Sequence, residues 1–559
     1  MQHPHPRYER RRATRPAGMA RLHAFRPRLL AALRHYDARL FRSDLLAGLS
    51  VGVVALPLAM AFAIASGLKP EAGLVTSIVA GFLIAAFGGS RVQIGGPAGA
   101  FIVVVYGIVQ QYGVLNLAIS TVLAGVLLFV MGLTRIGSLV RYVPVAIVTG
   151  FTNGIAVLIV LSQLRDFLGL RIDAMPAHFF EQIGTLAAHL HTAEPTALAI
   201  SIASLVLLLA WPRLRVPVPA TIVVLALATT ATAVLGLPLE TIGSRFGGIP
   251  TGLPAFSAPE WSWSGARALA GPVLTIALLG AIESLLCARV ADSFIRDRHD
   301  PNQELMAQGL ANIAAPMFGG MPATGTIART MTNIRAGGKT PVAGIIHALT
   351  VLLVMLAAAP LAFHVPLAAL AAILVHVGYN MGEWQAFAHL RRYSPHYRII
   401  LTATFVLTVV VDLTVAVQFG LFLAGLFFIL RVSGLTTIEP VGMALPRGVA
   451  AYRVQGSLFF ASVGKLDALA EADAGAAPRA MVLDLHYVMN IDTTAMDALR
   501  SLNKALSERG TRLVVCDPQP QARSLMERSG FSGELGKDNL QPDLPAALRR
   551  AAELAADAA

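Results

Sequence analysis

Cysteine is nearly absent from this 559-residue chain: Cys287 and Cys516 stand alone and far apart. Two such thiols build neither a disulfide framework nor a Cys-based zinc site. Charge is scarce as well. Charged residues make up 14% of the chain and hydrophobic residues 55%, whereas an ordinary soluble domain is about 25% charged. That imbalance excludes a wholly water-soluble protein. Acidic residues are the scarcer sign, 32 against 44 Lys and Arg, for a net charge of +12. A basic excess suits nucleic acid, but its position argues against that partner. Eleven arginines from Arg7 to Arg42 precede the first apolar span. A basic arm beside a membrane helix fixes orientation and attracts anionic lipid. No cleavable signal peptide is expected, because the first apolar run follows this arm and exceeds a signal h-region in length.

What the chain has in quantity is apolar runs of spanning length, recurring from about Leu45 to Arg431. Spans are expected near 45–66, 72–88, 114–133, 139–161, 195–211, 217–236, 268–288, 303–318, 340–361, 365–381, 398–413 and 415–431. Two shorter segments, 92–111 and 321–336, bring the count to about fourteen crossings. Loop charge supports counting both. With the arm cytoplasmic, every second loop carries an excess of Arg or Lys: Arg91, then Arg135 and Arg141, Arg213 and Arg215, Arg296 and Arg298, Lys339, and Arg391 with Arg392. This alternation requires both short segments to cross and places both termini in the cytoplasm. The stretch Leu237–Arg267, with Trp261 and Trp263, reads as an outer loop with an interfacial anchor.

The expected division is a basic arm over 1–43, a transmembrane domain over 44–436 and a soluble domain over 437–559. In the last part, strand-like runs (449–455, 458–462, 480–485, 511–516) alternate with helix-like runs (465–472, 493–509, 519–529), and an Ala-rich helix follows Asp543. Such alternation indicates a compact α/β domain.

The two short segments share a pattern. One reads Gly95-Gly96-Pro97-Ala98-Gly99-Ala100-Phe101, the other Met321-Pro322-Ala323-Thr324-Gly325-Thr326-Ile327-Ala328-Arg329. Each looks like an extended piece leading into a half-helix that begins within the membrane. Facing half-helix N-termini offer free N–H groups and partial positive charge, which is an anion site. The segments are the third and tenth crossings. An odd separation of seven makes the two halves an inverted repeat. Arg329 adds a full positive charge, and Thr324 and Thr326 offer hydroxyls. Glu283 lies well inside an apolar span, where a carboxyl is a natural proton carrier. Asp412 reads as a turn residue, and His347, His364 and His376 lack metal-ligand spacing and read as polar fillers. The soluble domain shows no nucleotide loop, metal cluster or nucleophile–base pair, so neither enzyme activity nor a cofactor is expected.

These residues resemble the SulP family of sulfate-permease-like anion transporters with a C-terminal STAS domain. The likeness rests on Asp44-Leu45-Leu46-Ala47-Gly48-Leu49, Ala55-Leu56-Pro57-Leu58-Ala59-Met60, Gly95-Gly96-Pro97 and Gly337-Gly338-Lys339-Thr340. In the soluble part it rests on Val482-Leu483-Asp484-Leu485 and Ile491-Asp492-Thr493-Thr494. The resemblance implies a seven-plus-seven inverted repeat with core and gate domains, and a homodimer. It implies an anion held between Pro97–Phe101 and Thr324–Arg329, and a coupling ion at Glu283. Many relatives carry Ser where this chain has Ala328, and sodium-coupled bacterial members often carry Asp where it has Glu283. Glu283 therefore leans towards protons. Thr494 stands at the modified Ser of phosphorylatable STAS domains, although Asp492 or Thr493 also suffices as a plain helix cap. The leading expectation is proton-driven sulfate symport by alternating access, with an unidentified cytoplasmic partner for the STAS domain. Bicarbonate or C4-dicarboxylate uptake, anion exchange and an uncoupled channel remain open.

Overall fold

The computed structural model describes residues 22–138, 143–172, 175–176, 178–214, 219–248, 252, 255–257, 269–411, 413–472 and 478–557. Most of the basic arm, the Trp261–Trp263 anchor, Asp412, Arg141 and Arg215 lie outside the described residues. The chain divides into two compact units, one through Leu421 and one from Phe422.

The first unit is helical. Its principal helices are α1 (Ala38–Ala65), α2 (Pro70–Phe87), α3 (Phe101–Leu133), α4 (Val145–Leu168), α5 (Phe179–Ala188), α6 (Pro195–Leu214) and α7 (Ala220–Leu235). They continue as α8 (Ala270–Ile295), α9 (Pro301–Met317), α10 (Ile327–Arg335), α11 (Val342–Ala362), α12 (Leu367–Met381) and α13 (Pro395–Val410), and α14 (Leu413–Leu435) runs across the division between the units. Two short strands, β1 (Gly95–Gly96) and β2 (Thr324–Gly325), precede α3 and α10. α3 is two helices joined at Gly113, whose φ of 82° breaks the run between the expected segments 92–111 and 114–133. Among the described residues, six helices are long and apolar enough to cross a membrane. A bent pair, Phe179–Thr192 with Pro195–Trp211, makes a seventh when counted as one span. Helix length alone therefore supports fewer crossings than the expected fourteen. The shortfall has a physical cause: the half-helices and the 10–17-residue apolar helices are too short to span by themselves.

Glycine governs how closely the helices pack. Gly48 and Gly52 on α1 meet Ile346 and Thr350 of α11, and Gly150 and Gly154 on α4 meet Thr404 and Thr408 of α13. A Cβ at Gly52 would lie 2.5 Å from the Thr350 Cβ. Small residues four apart let helix backbones approach in this way.

In the second unit, β3 (Thr437–Pro440), β4 (Val449–Leu458), β5 (Ala480–Ile491), β6 (Arg512–Cys516) and β7 (Leu540–Gln541) form one sheet in that order. β3 is antiparallel to β4, and the other pairings are parallel. α15 (Gly464–Ala472), α16 (Thr493–Glu508) and α17 (Pro520–Arg528) supply one core through Leu466, Leu499 and Met526. α18 (Leu544–Asp557) supplies another through Ala547, Ala551 and Ala555. Two expected strands, 449–455 and 458–462, are instead one strand with two register shifts, running past Gly456 at φ 98°. Residues 460–462 form a 3-10 turn.

Candidate anion site

The two short segments cross each other at a pair of strands. β1 pairs antiparallel with β2, Gly95 opposite Gly325 and Gly96 opposite Thr324. Glycine is required here by contact. Gly96 has a φ of 152°, and a Cβ on it would lie 2.4 Å from Arg329 Nη1. A Cβ on Gly325 would meet Gln93 Nε2 at 1.6 Å. After the crossing, Pro97–Ala100 lead into α3, whose N-cap Ala100 has no capping side chain. Thr326 leads into α10, but its hydroxyl donates to the Ile94 carbonyl at 3.0 Å rather than accepting from the helix. Neither half-helix is capped by a side chain, so first-turn N–H groups remain unclaimed by side-chain caps.

The structure gathers Ala98, Ala100, Phe101, Thr324, Thr326 and Arg329 as buried residues around this crossing, with Pro97, Gly99 and Gly325 also buried. Ile327 is half-buried and Ala328 is exposed. The threonine hydroxyls point differently from the expectation. Thr324 Oγ1 donates to the Gly280 carbonyl at 3.1 Å, so both hydroxyl protons are already committed to carbonyls.

Glu283 sits on α8 between two points tied to the crossing. Gly280 accepts from Thr324, and Ser284 accepts from Gln93 Nε2 at 3.2 Å on its carbonyl and 2.9 Å on its hydroxyl. One turn further on, Cys287 Sγ donates to Thr330 Oγ1 of α10 at 3.3 Å. Glu283 is 9% exposed, and no hydrogen bond or ion pair reaches its carboxyl among the described residues. Arg329 is 1% exposed. Its Nη1 donates to Ser77 Oγ on α2 at 3.1 Å, while Nε and Nη2 have no partner among the described residues. A buried cation so sparsely bonded carries unmet demand for an anion. His347 on α11 is fully buried with both ring nitrogens unpartnered among the described residues. A Cβ on Gly81, one turn from Ser77, would lie 3.8 Å from its Nε2. Sequence alone reads this His347 as filler, because its neighbours come from another helix. Ser77, Gln93 and Ser284 were missed for the same reason.

Two buried acids hold the flanking loops. Glu304 on α9 accepts from the Gly89 and Ser90 N–H groups at 2.9 and 3.1 Å. Asp44 on α1 accepts from the Lys339 and Thr340 N–H groups at 2.8 and 3.1 Å and from Thr340 Oγ1 at 2.5 Å. The Gly337–Thr340 turn is thus an anion nest filled by the chain's own carboxylate. In the second unit, Asp492 accepts from the Ala495 N–H at 2.8 Å and caps α16, leaving Thr494 exposed in the first turn. Asp484 pairs with Arg453 at 2.8 Å, and the bond to Asp484 raises the Arg453 pKa above its usual value.

Apolar helices around crossed half-helices, followed by an α/β unit, define a multi-pass membrane transporter of anions. The chain belongs to the sulfate permease family, whose profile matches residues 41–404, and a STAS domain profile matches residues 443–547. It is 41% identical to the putative sulfate transporter YvdB of Bacillus subtilis over 92% of this chain and 98% of that one. It is 30% identical to the bicarbonate transporter BicA of Picosynechococcus over 88% of this chain and 91% of that one. Its fold matches the murine Slc26a9 anion transporter at 20% identity with a TM-score of 0.84, covering 97% and 96% of the two chains.

Proposed function

We propose that the protein imports sulfate together with a proton by alternating access. The carrying observation is the placement of Glu283: a buried, unpaired carboxyl on α8, between residues bonded to the segments that precede and form the crossing. In this reading the anion binds the N–H groups at the starts of α3 and α10, beside Pro97–Phe101 and Thr324–Arg329. The unpaired Nε and Nη2 of Arg329 supply counter-charge. A proton on Glu283 removes that group's repulsion of the anion, and this couples the two fluxes. The crossing then shifts towards the cytoplasm and both ligands leave. The wider frame is a seven-plus-seven inverted repeat, a homodimer, and both termini in the cytoplasm. Thr494 is the proposed phosphoacceptor of the STAS domain, since a phosphate in the first turn of α16 meets the positive end of the helix.

Sulfate is favoured by the relative that is 41% identical. Bicarbonate is the second reading, favoured by the likeness to BicA. Proteoliposome uptake separates them. Labelled sulfate should accumulate when an inward proton gradient is imposed, and bicarbonate should compete weakly. Bicarbonate uptake without sulfate uptake would replace the substrate and keep the site. Sulfate uptake indifferent to the gradient would remove the coupling role of Glu283.

A further inference from the structure

A second basic feature lies apart from the crossing. A cavity of about 300 Å³ is lined by Arg91 and Val92 before β1, Ile295 at the end of α8, Ile334 near the end of α10, and the turn from Gly337 to Lys339. None of the residues proposed for the transported anion lines it. Two lining residues are cationic and none is acidic.

Two acids contact lining residues, and each has other partners. Asp297 lies 3.6 Å from Arg91, but both its oxygens accept from Arg28 Nη2 at 3.0 Å. Burial works against its charge, yet the Arg298 N–H and Arg28 hold the Asp297 carboxyl below its usual range. Asp44 takes the backbone N–H of Lys339, not its ammonium. Arg91 and Lys339 therefore bring positive charge to the cavity that no lining group balances. A guanidinium fork beside an ammonium suits a phosphate group. The volume exceeds that of a bare tetrahedral oxyanion and leaves room for whatever the phosphate is esterified to.

We propose that this cavity binds an anionic phosphate group, free or borne by a net-negative lipid headgroup, and so bridges the two crossing segments at their shared end. The stretch before β1 and the turn after α10 both contribute to it, and Asn333 Nδ2 already joins them by donating to the Val92 carbonyl at 2.8 Å. The site is independent of which anion is transported.

The test is thermal unfolding of the purified full-length protein, followed by tryptophan fluorescence. One arm adds inorganic phosphate in neutral detergent, against chloride at equal ionic strength. The other compares nanodiscs of phosphatidylcholine with nanodiscs that also contain phosphatidylglycerol. The wild type should gain about 3 °C or more in one arm, and Arg91→Gln with Lys339→Gln should abolish the gain. A gain in the first arm identifies free phosphate, and a gain confined to the second identifies the headgroup. Lys339→Gln alone, which keeps the backbone bond to Asp44, reports if the double variant unfolds early. No gain in either arm, or a gain undiminished in both variants, overturns the proposal.

Discussion

Arg329 and Gly96 form one device at the residue scale. Arg329 Nη1 lies 2.4 Å from where a Cβ on Gly96 would stand. Arg329→Ala should raise the KM for the anion about 10- to 100-fold, as loss of a charge-assisted bond implies, with the protein still folded in detergent. Gly96→Ala should also impair uptake, since it strains a backbone at φ 152° by about 1–3 kcal/mol and displaces the guanidinium. Normal uptake by Gly96→Ala would show that the position of Arg329 is immaterial. Glu283→Gln should abolish stimulation by a proton gradient while leaving anion-for-anion exchange measurable in liposomes. Retained proton-driven accumulation would assign coupling elsewhere.

At the element scale the two acid clasps matter most. Asp44→Ala removes the acceptor from the Lys339 and Thr340 N–H groups. The buried Thr340 N–H left unpaired costs about 1–3 kcal/mol. The variant should melt earlier, and hydrogen exchange should quicken over residues 336–341 more than over the STAS strands. Uniform quickening would point to global loosening instead.

Much of this scale was legible in sequence. Pro97, Gly113 and Gly325 punctuate the chain locally, so the half-helices and the break within α3 could be placed from them. The amphipathic helix α5 was not foreseen, because it lies between the expected spans 139–161 and 195–211. Nor were the bonds of Gln93 to Ser284 or of Thr324 to Gly280, which join residues 191 and 44 positions apart. Periodicity reports a residue's own helix, not what faces it. The direction of the Thr324 and Thr326 hydroxyls was misjudged for that reason.

For the whole molecule, orientation can be read by cysteine labelling. Both native cysteines are buried, so the wild type should resist a membrane-impermeant maleimide. Arg298 and His191 are exposed in loops predicted to lie on opposite faces. In intact cells His191→Cys should label and Arg298→Cys should label only after lysis. The reverse pattern would invert the topology. The partly unbonded Arg329 also has an electrical consequence. With Glu283 protonated and a divalent anion bound the site is singly negative, and once both ligands have left, Arg329 and the ionised Glu283 sum to zero. The loaded reorientation then moves one net negative charge through the membrane field, at about 2.3 kcal/mol per elementary charge per 100 mV, and the empty return moves none. Voltage should therefore act on the loaded half of the cycle alone, and current recordings should show whether that half limits turnover.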